Sequence, residues 1–208
     1  MKIAILGATG RTGLHLVRIA LAAGHDVTAV LRDPGKLGEL RPTRTVVADA
    51  RSAGALAPAF EGVDAVVGCV GPTGQDSQGI QVASIQACLD AMATVGVSRV
   101  VTISASGPFI DGDDPLTRYL AKPILWRLLR ESFDDLRNME AVLRASDTDW
   151  TIVRPPQLTD RAARGRYRSR RDGNVRWGLQ ITRADLAQAL LDALLDDTTI
   201  HQTISVAN

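Results

Sequence analysis

Apolar residues run nearly unbroken through seven short stretches of the chain: 2–6 (KIAIL), 27–31 (VTAVL), 45–48 (TVVA), 63–70 (VDAVVGCV), 99–103 (RVVTI), 150–153 (WTIV) and 202–206 (QTISV). A strand with one wet face alternates, whereas a continuous run suits a strand buried on both faces of a parallel sheet, whose crossovers must be helices. Helical spacing recurs between the runs. Leu14, Val17, Ala20 and Leu21 precede Gly24, and Ile85, Cys88, Leu89, Met92 and Val95 precede Gly96, with a glycine each time where a C-cap belongs. A last helix is predicted to begin at Thr182, whose hydroxyl caps the first turn while Asp185 answers three residues on, as in a capping box. Its apolar stripe is Leu186, Ala189, Leu190, Ala193 and Leu194. Residues 104–149 are the least regular stretch. There the pattern predicts a helical segment from about Leu116 into the 120s, kinked or restarted at Pro123, and a second helix over Phe133–Leu143 capped by Ser132. The alternation predicts an α/β fold, a doubly wound parallel sheet of about seven strands with helices on both faces. No repeat and no linker rich in Pro, Gly or Ser divides the chain, so 1–208 reads as one domain.

Composition narrows the function classes. The 208 residues are 45% hydrophobic and 23% charged, enough for one sizeable core. A formal charge of +1 lacks the basic excess that general nucleic-acid or membrane-surface binding needs, so the expected partner is a small molecule, with no nucleic acid and no membrane. The expected assembly is a monomer or small homo-oligomer. No signal peptide or apolar run of bilayer-spanning length is visible, and a cytoplasmic location is expected. Cys69 and Cys88 belong to no CxxC pair and read as buried thiols; His15, His25 and His201 are scattered, so no metal is expected.

The candidate chemistry lies in GATGRTG, residues 7–13. A plain turn could hold three glycines, but Gly7 follows a predicted strand and Gly13 opens a predicted helix, the context of a dinucleotide-binding fingerprint in a Rossmann-type sheet. One glycine permits the turn, the next lets the backbone approach a pyrophosphate, and the third lets helix pack on strand. The helix N-terminus presents free amides to the anion, and Thr9 and Thr12 offer hydroxyls. The spacing is GxxGxxG, with Gly10 in the middle, rather than GxGxxG. Arg32 stands 19 residues after Gly13, where a carboxylate would otherwise hold the ribose 2′-hydroxyl of NAD. A guanidinium there favours the 2′-phosphate of NADP, which Arg11 and Lys36 can also approach, so NADP(H) is expected over NAD(H). The alternative is a solvated strand-end charge balanced by Asp33.

GATGRTG, LRD at 31–33, VVADA at 46–50, VGP at 70–72, RVVTISASG at 99–107 and WTIVRPPQL at 150–158 together resemble the atypical short-chain dehydrogenase/reductase family. Within it the chain is similar to the NAD(P)H-binding group that includes flavin reductase/biliverdin-IXβ reductase and the NmrA-like proteins. The resemblance covers nearly the whole chain. It implies that Asp49 and Ala50 lie beside the adenine, that Cys69, Val70 and Gly71 line the cofactor, and that Ser104 and the backbone of Pro155, Pro156 and Gln157 approach the nicotinamide. Read without it, Asp49 is a turn residue and Cys69 a core thiol. Two departures stand out. Tyr119 and Lys122 form YxxK rather than the YxxxK of many short-chain dehydrogenases, and Gln157 stands where the flavin reductase pattern tends to carry histidine.

A nicotinamide at the strand ends would face a pocket from 71–79, 104–115 and 155–165, within a substrate region spanning about 104–180. A flavin such as FMN, a quinone or a similar conjugated acceptor needs alignment with the donor and can take its proton from solvent. A ketone needs an acid, for which the candidates are Ser104, Ser106 and Tyr119. The sequence leans toward the conjugated acceptor; a Ser/Tyr-dependent carbonyl reductase is the alternative within enzymes, and an NADP-binding redox sensor without turnover the alternative outside them. Residues 161–176 hold seven arginines around Tyr167. They read as a solvated hairpin over the pocket, with attraction of an anionic acceptor as the functional alternative.

Overall fold

The computed structural model describes residues 1–72, 79–113, 119 and 122–208. Ten strands and five α-helices run in the order β1 (Lys2–Leu6), α1 (Arg11–Ala22), β2 (Asp26–Leu31), β3 (Arg44–Val47), α2 (Ala53–Phe60), β4 (Ala65–Gly68), α3 (Ile80–Val95), β5 (Arg99–Ile103), α4 (Lys122–Arg144), β6 (Asp149–Arg154), β7 (Gln157–Thr159), β8 (Arg168–Arg171), β9 (Gln180–Thr182), α5 (Arg183–Leu195) and β10 (Gln202–Ala207). Among the described residues no helix is long and apolar enough to cross a membrane.

The main sheet has eight strands in the order β3-β2-β1-β4-β5-β6-β10-β8. The first seven are parallel and β8 runs antiparallel against β10, Arg168 opposite Ala207. All seven expected strands are present; the eighth lies inside the arginine-rich segment that the sequence presented as a solvated hairpin. Chain order reverses between β1 and β4, and a crevice opens at such a switch point because the crossovers leave in opposite directions.

Both faces of the sheet are covered, which is why its strands lack polar alternation. Ile3 and Ile5 of β1 pack in one apolar cluster with Leu16, Val17 and Ala20 of α1 and Leu186, Leu190 and Leu194 of α5. Ala4 and Leu6, pointing the other way, join Phe60 of α2, Met92 of α3 and Met139 and Leu143 of α4.

Helix ends follow the expected chemistry in part. Gly24 follows α1 at φ +78° and Gly96 caps α3 at φ +76°, its amide donating to the carbonyl of Met92. Thr182 caps α5, its hydroxyl oxygen accepting from the amide of Asp185 at 3.0 Å. The reciprocal half of a capping box is absent: the Thr182 amide donates to Asn208 Oδ1, while the Asp185 carboxylate takes the amides of Arg164 and Gly165 and the side-chain amide of Asn208. In α4 the expected break falls at Leu129 (φ −120°, ψ 20°), so Ser132 lies inside the helix rather than capping a new one. Pro123 is the second residue of α4 as described. Most of the segment predicted from Leu116 lies outside the described residues.

Candidate functional site: a phosphate cradle at the switch point

β1 ends at Leu6, and the chain turns at Gly7 with φ +80°, a conformation open to glycine. A Cβ on Gly7 would stand 2.9 Å from the carbonyl oxygen of Cys69, so β1 and the end of β4 approach as closely as backbones can. The amides of Gly7 and Ala8 both donate to the carbonyl of Val30, at 3.0 and 3.1 Å, which fixes the loop to β2. Gly10 donates to Gly7 at 2.9 Å and is the N-cap of α1, which has no side-chain cap and no acidic residue in its first turn. A Cβ on Gly13 would collide with the Gly7 carbonyl and the Ala8 backbone. The glycines thus permit the turn at Gly7, the close passage of Gly10 over the Gly7 carbonyl and the packing of α1 on the loop at Gly13.

Above this loop lies a cleft of about 430 Å³ lined by Gly7, Thr9 and Gly10, by Arg32 and Lys36 beyond β2, by Asp49, Ala50 and Arg51 beyond β3, and by Cys69, Val70 and Gly71 beyond β4. Residues of the glycine loop and of the segments beyond β2, β3 and β4 thus meet at the carboxyl ends of adjacent strands. Asp33 accepts from the amide of Gly35 at 3.0 Å, making the cap of a short 3₁₀ turn over Pro34–Leu37. That turn carries Lys36 to the rim. Asp49 is forked by the Arg51 guanidinium, with Nη2 donating to Oδ2 at 2.7 Å, and also accepts the Arg51 amide at 2.9 Å. These bonds hold its carboxyl down to about 2. Asp49 is thus both a turn residue and a wall of the cleft. Burial pushes the Cys69 thiol up to about 12, so it is a neutral apolar wall rather than a thiolate.

Other expected site residues fall elsewhere. Thr12 is buried within α1. Arg11 does not line the cleft; its guanidinium is ion-paired with Asp160, just past β7. Ser104, at the end of β5, is 5% exposed, and its hydroxyl donates to Glu140 Oε1 at 2.6 Å. Arg154 clamps the same carboxylate through Nε and Nη2, and Arg144 adds a third guanidinium contact. Tyr119 is 73% exposed. Lys122 is buried against Asp113, with Nζ 2.5 Å from Oδ2, and donates to the carbonyls of Ser106 and Phe109. Desolvation lowers its pKa against the pull of Asp113. Ser104 and Lys122 are thus held by separate carboxylates, Glu140 and Asp113, while Lys122 also reaches the backbone carbonyl of Ser106. Ser106 donates its amide to Pro155, tying the loop after β5 to the end of β6. Pro155 is buried, Pro156 follows it, and Gln157 opens β7, where the Gln180 amide reaches its side-chain oxygen at 3.3 Å. Of the expected acceptor pocket, 73–78 and 114–115 lie outside the described residues.

Sequence reasoning missed Arg51, whose signal was its spacing of two from Asp49. It also missed α2, in which Pro58 reads as a helix breaker, and the three-residue strands β7 and β9, too short for any period to show.

The NAD(P)H-binding family model matches residues 7–197. A UPF0659 protein of Schizosaccharomyces pombe is 26% identical, over 98% of this chain and 88% of its own length. Among solved structures, a short-chain dehydrogenase/reductase from Veillonella parvula in complex with NADP superposes with a TM-score of 0.80 at 21% identity, covering all of this chain and 94% of that one. ChuY, an anaerobilin reductase from Escherichia coli, gives 0.79 at 20%, covering all of this chain and 97% of that one. The two structures share the fold, and the family match spans the cradle, the cleft and both flanking helices: the chain belongs to the NAD(P)H-binding family.

Proposed function

We propose that the protein is an NADPH-dependent oxidoreductase that passes hydride to a flavin, a quinone or a similar conjugated acceptor. One observation carries the coenzyme half of this reading: Arg32 and Lys36 line the same cleft as Gly7, Thr9 and Gly10 of the glycine loop. The N-terminus of α1 suits the diphosphate, and the two cations suit a ribose 2′-phosphate. The NADP complex of the Veillonella relative supports this choice. When bound, the reduced nicotinamide supplies the hydride.

The acceptor half rests on Ser104. Its hydroxyl proton is committed to a buried carboxylate, itself held by Arg154, so it is ill placed to protonate a developing alkoxide. Conjugated acceptors need no such acid, since alignment suffices and solvent supplies the proton. An anaerobilin reductase stands among the structural neighbours, which supports this reading.

The test is NADPH oxidation with FMN and a panel of quinones and carbonyls. Turnover with a flavin or quinone that survives Ser104→Ala and Tyr119→Phe is expected. Turnover confined to carbonyls and lost in those variants would assign a carbonyl reductase, and tight NADPH binding without turnover on any acceptor would assign a redox sensor. Charge-assisted recognition of the 2′-phosphate predicts that NADPH binds at least about tenfold tighter than NADH and that Arg32→Ala removes most of the difference.

A further inference from the structure

Asp160, the residue after β7, bridges two guanidinium groups. It is ion-paired with Arg11, and Arg183 Nη1 lies 2.7 Å from its Oδ1. Arg11 is the first residue of α1 and Arg183 the first of α5, two helices that pack side by side. A cation at either position opposes the partial positive charge of a helix N-terminus, and the two arginines repel each other as well. The pKa of Arg183 is lowered accordingly, by desolvation first and by the charge of Arg11 second. Asp160 is the carboxylate the chain itself offers to both.

We infer that Asp160 is a coenzyme-specificity residue that competes with the adenosine 2′-phosphate for Arg11. The inference rests on the coenzyme reading above. Arg11 directly follows Gly10, which lines the cleft together with Arg32 and Lys36. From that position a long, flexible arginine side chain can be drawn to Asp160 on one side or to an anion in the cleft on the other. A phosphate monoester carries nearly two negative charges at neutral pH and outbids a single carboxylate; NADH has no such group. Taking up NADPH then moves Arg11 off Asp160 and leaves that carboxylate to Arg183. Side-chain exposures of 67% for Arg11 and 55% for Asp160 place the pair among those that water screens, so the competition amounts to a several-fold effect.

Isothermal titration of the full chain with NADPH and NADH tests this in four proteins: wild type, Asp160→Asn, Arg11→Gln and the double variant. Removing the competing charge is expected to tighten NADPH about three- to fivefold and leave NADH within about twofold. In the Arg11→Gln background the same change should do nothing to either coenzyme. An unchanged NADPH-to-NADH ratio in Asp160→Asn, or a gain that persists without Arg11, would overturn the inference while leaving the coenzyme reading intact. Wild-type protein that takes up neither coenzyme would overturn both. Melting curves of the four proteins show whether each is folded, and Asp160→Glu, which keeps the charge, should restore the wild-type ratio.

Discussion

Gly13 has no room for a side chain, because a methyl group there would meet the Gly7 carbonyl and the Ala8 backbone, neither of which can swing aside. Gly13→Ala is therefore expected to cost about 1–3 kcal/mol of stability through overpacking and to weaken coenzyme binding by distorting the loop. Thermal melts and titrations of the variant check both. Asp49 makes a second prediction. Its folded pKa lies near 2, below its ordinary value of 3.8, through the hydrogen bonds of Arg51. A carboxyl depressed on folding stabilises the native state above its unfolded pKa, and that contribution disappears as pH falls through the folded one. The loss should thus fall between about pH 4 and pH 2, and be absent in Asp49→Asn. Carbon-detected NMR titration of the side chain would show a midpoint near 2; an ordinary midpoint would mean that the Arg51 fork does not form. Residues of this kind were legible to different degrees. The places of Gly7, Gly10, Gly13 and Arg32 were readable because they follow from chain order, at the ends of the first two strands and the start of α1. The partners of Arg11 and Ser104 do not, since Asp160 and Glu140 come from distant segments that only folding brings near.

At the scale of elements, α4 is joined to the sheet by a buried charge cluster rather than by apolar packing alone. Glu140 reaches from its last turns to Arg154 at the end of β6 and to Ser104 at the end of β5, with Nη2 of Arg154 2.5 Å from Oε2. Both side chains are nearly buried, at 3% and 9% exposure, so removing the carboxylate strands a guanidinium away from water. Glu140→Ala is expected to destabilise by about 3–5 kcal/mol, read by chemical denaturation. Leu190, fully buried in α5 within the apolar cluster that this helix shares with α1 and the sheet, should cost about 2–5 kcal/mol as Leu190→Ala. Elements with strong periodicity or a terminal glycine were readable in the sequence, as α1, α3 and the buried strands show. β8 was not, because RSRR is exposed along its whole length although it pairs with β10. An all-polar edge strand gives no hydrophobic signal, and its arginines discourage further pairing at that edge.

Across the whole molecule, the order β3-β2-β1-β4-β5-β6-β10 sends the first crossovers one way and the later ones the other, which opens the crevice between β1 and β4. The chain then fills that crevice with glycine backbone below and cations at the side. This much followed from the sequence, since continuous apolar strands separated by helices allow few topologies and the glycine cluster stands at the first crossover. The acceptor side did not follow as well: it is built from short strands, a kinked helix and loops held by long-range ion pairs. The central claim is that this crevice holds a nicotinamide dinucleotide by its phosphates. Isothermal titration calorimetry of the purified chain with NADPH and NADH tests it directly. A saturable heat at a single site, with NADPH the tighter by at least about tenfold, is the predicted result. Absence of heat with both coenzymes would contradict it.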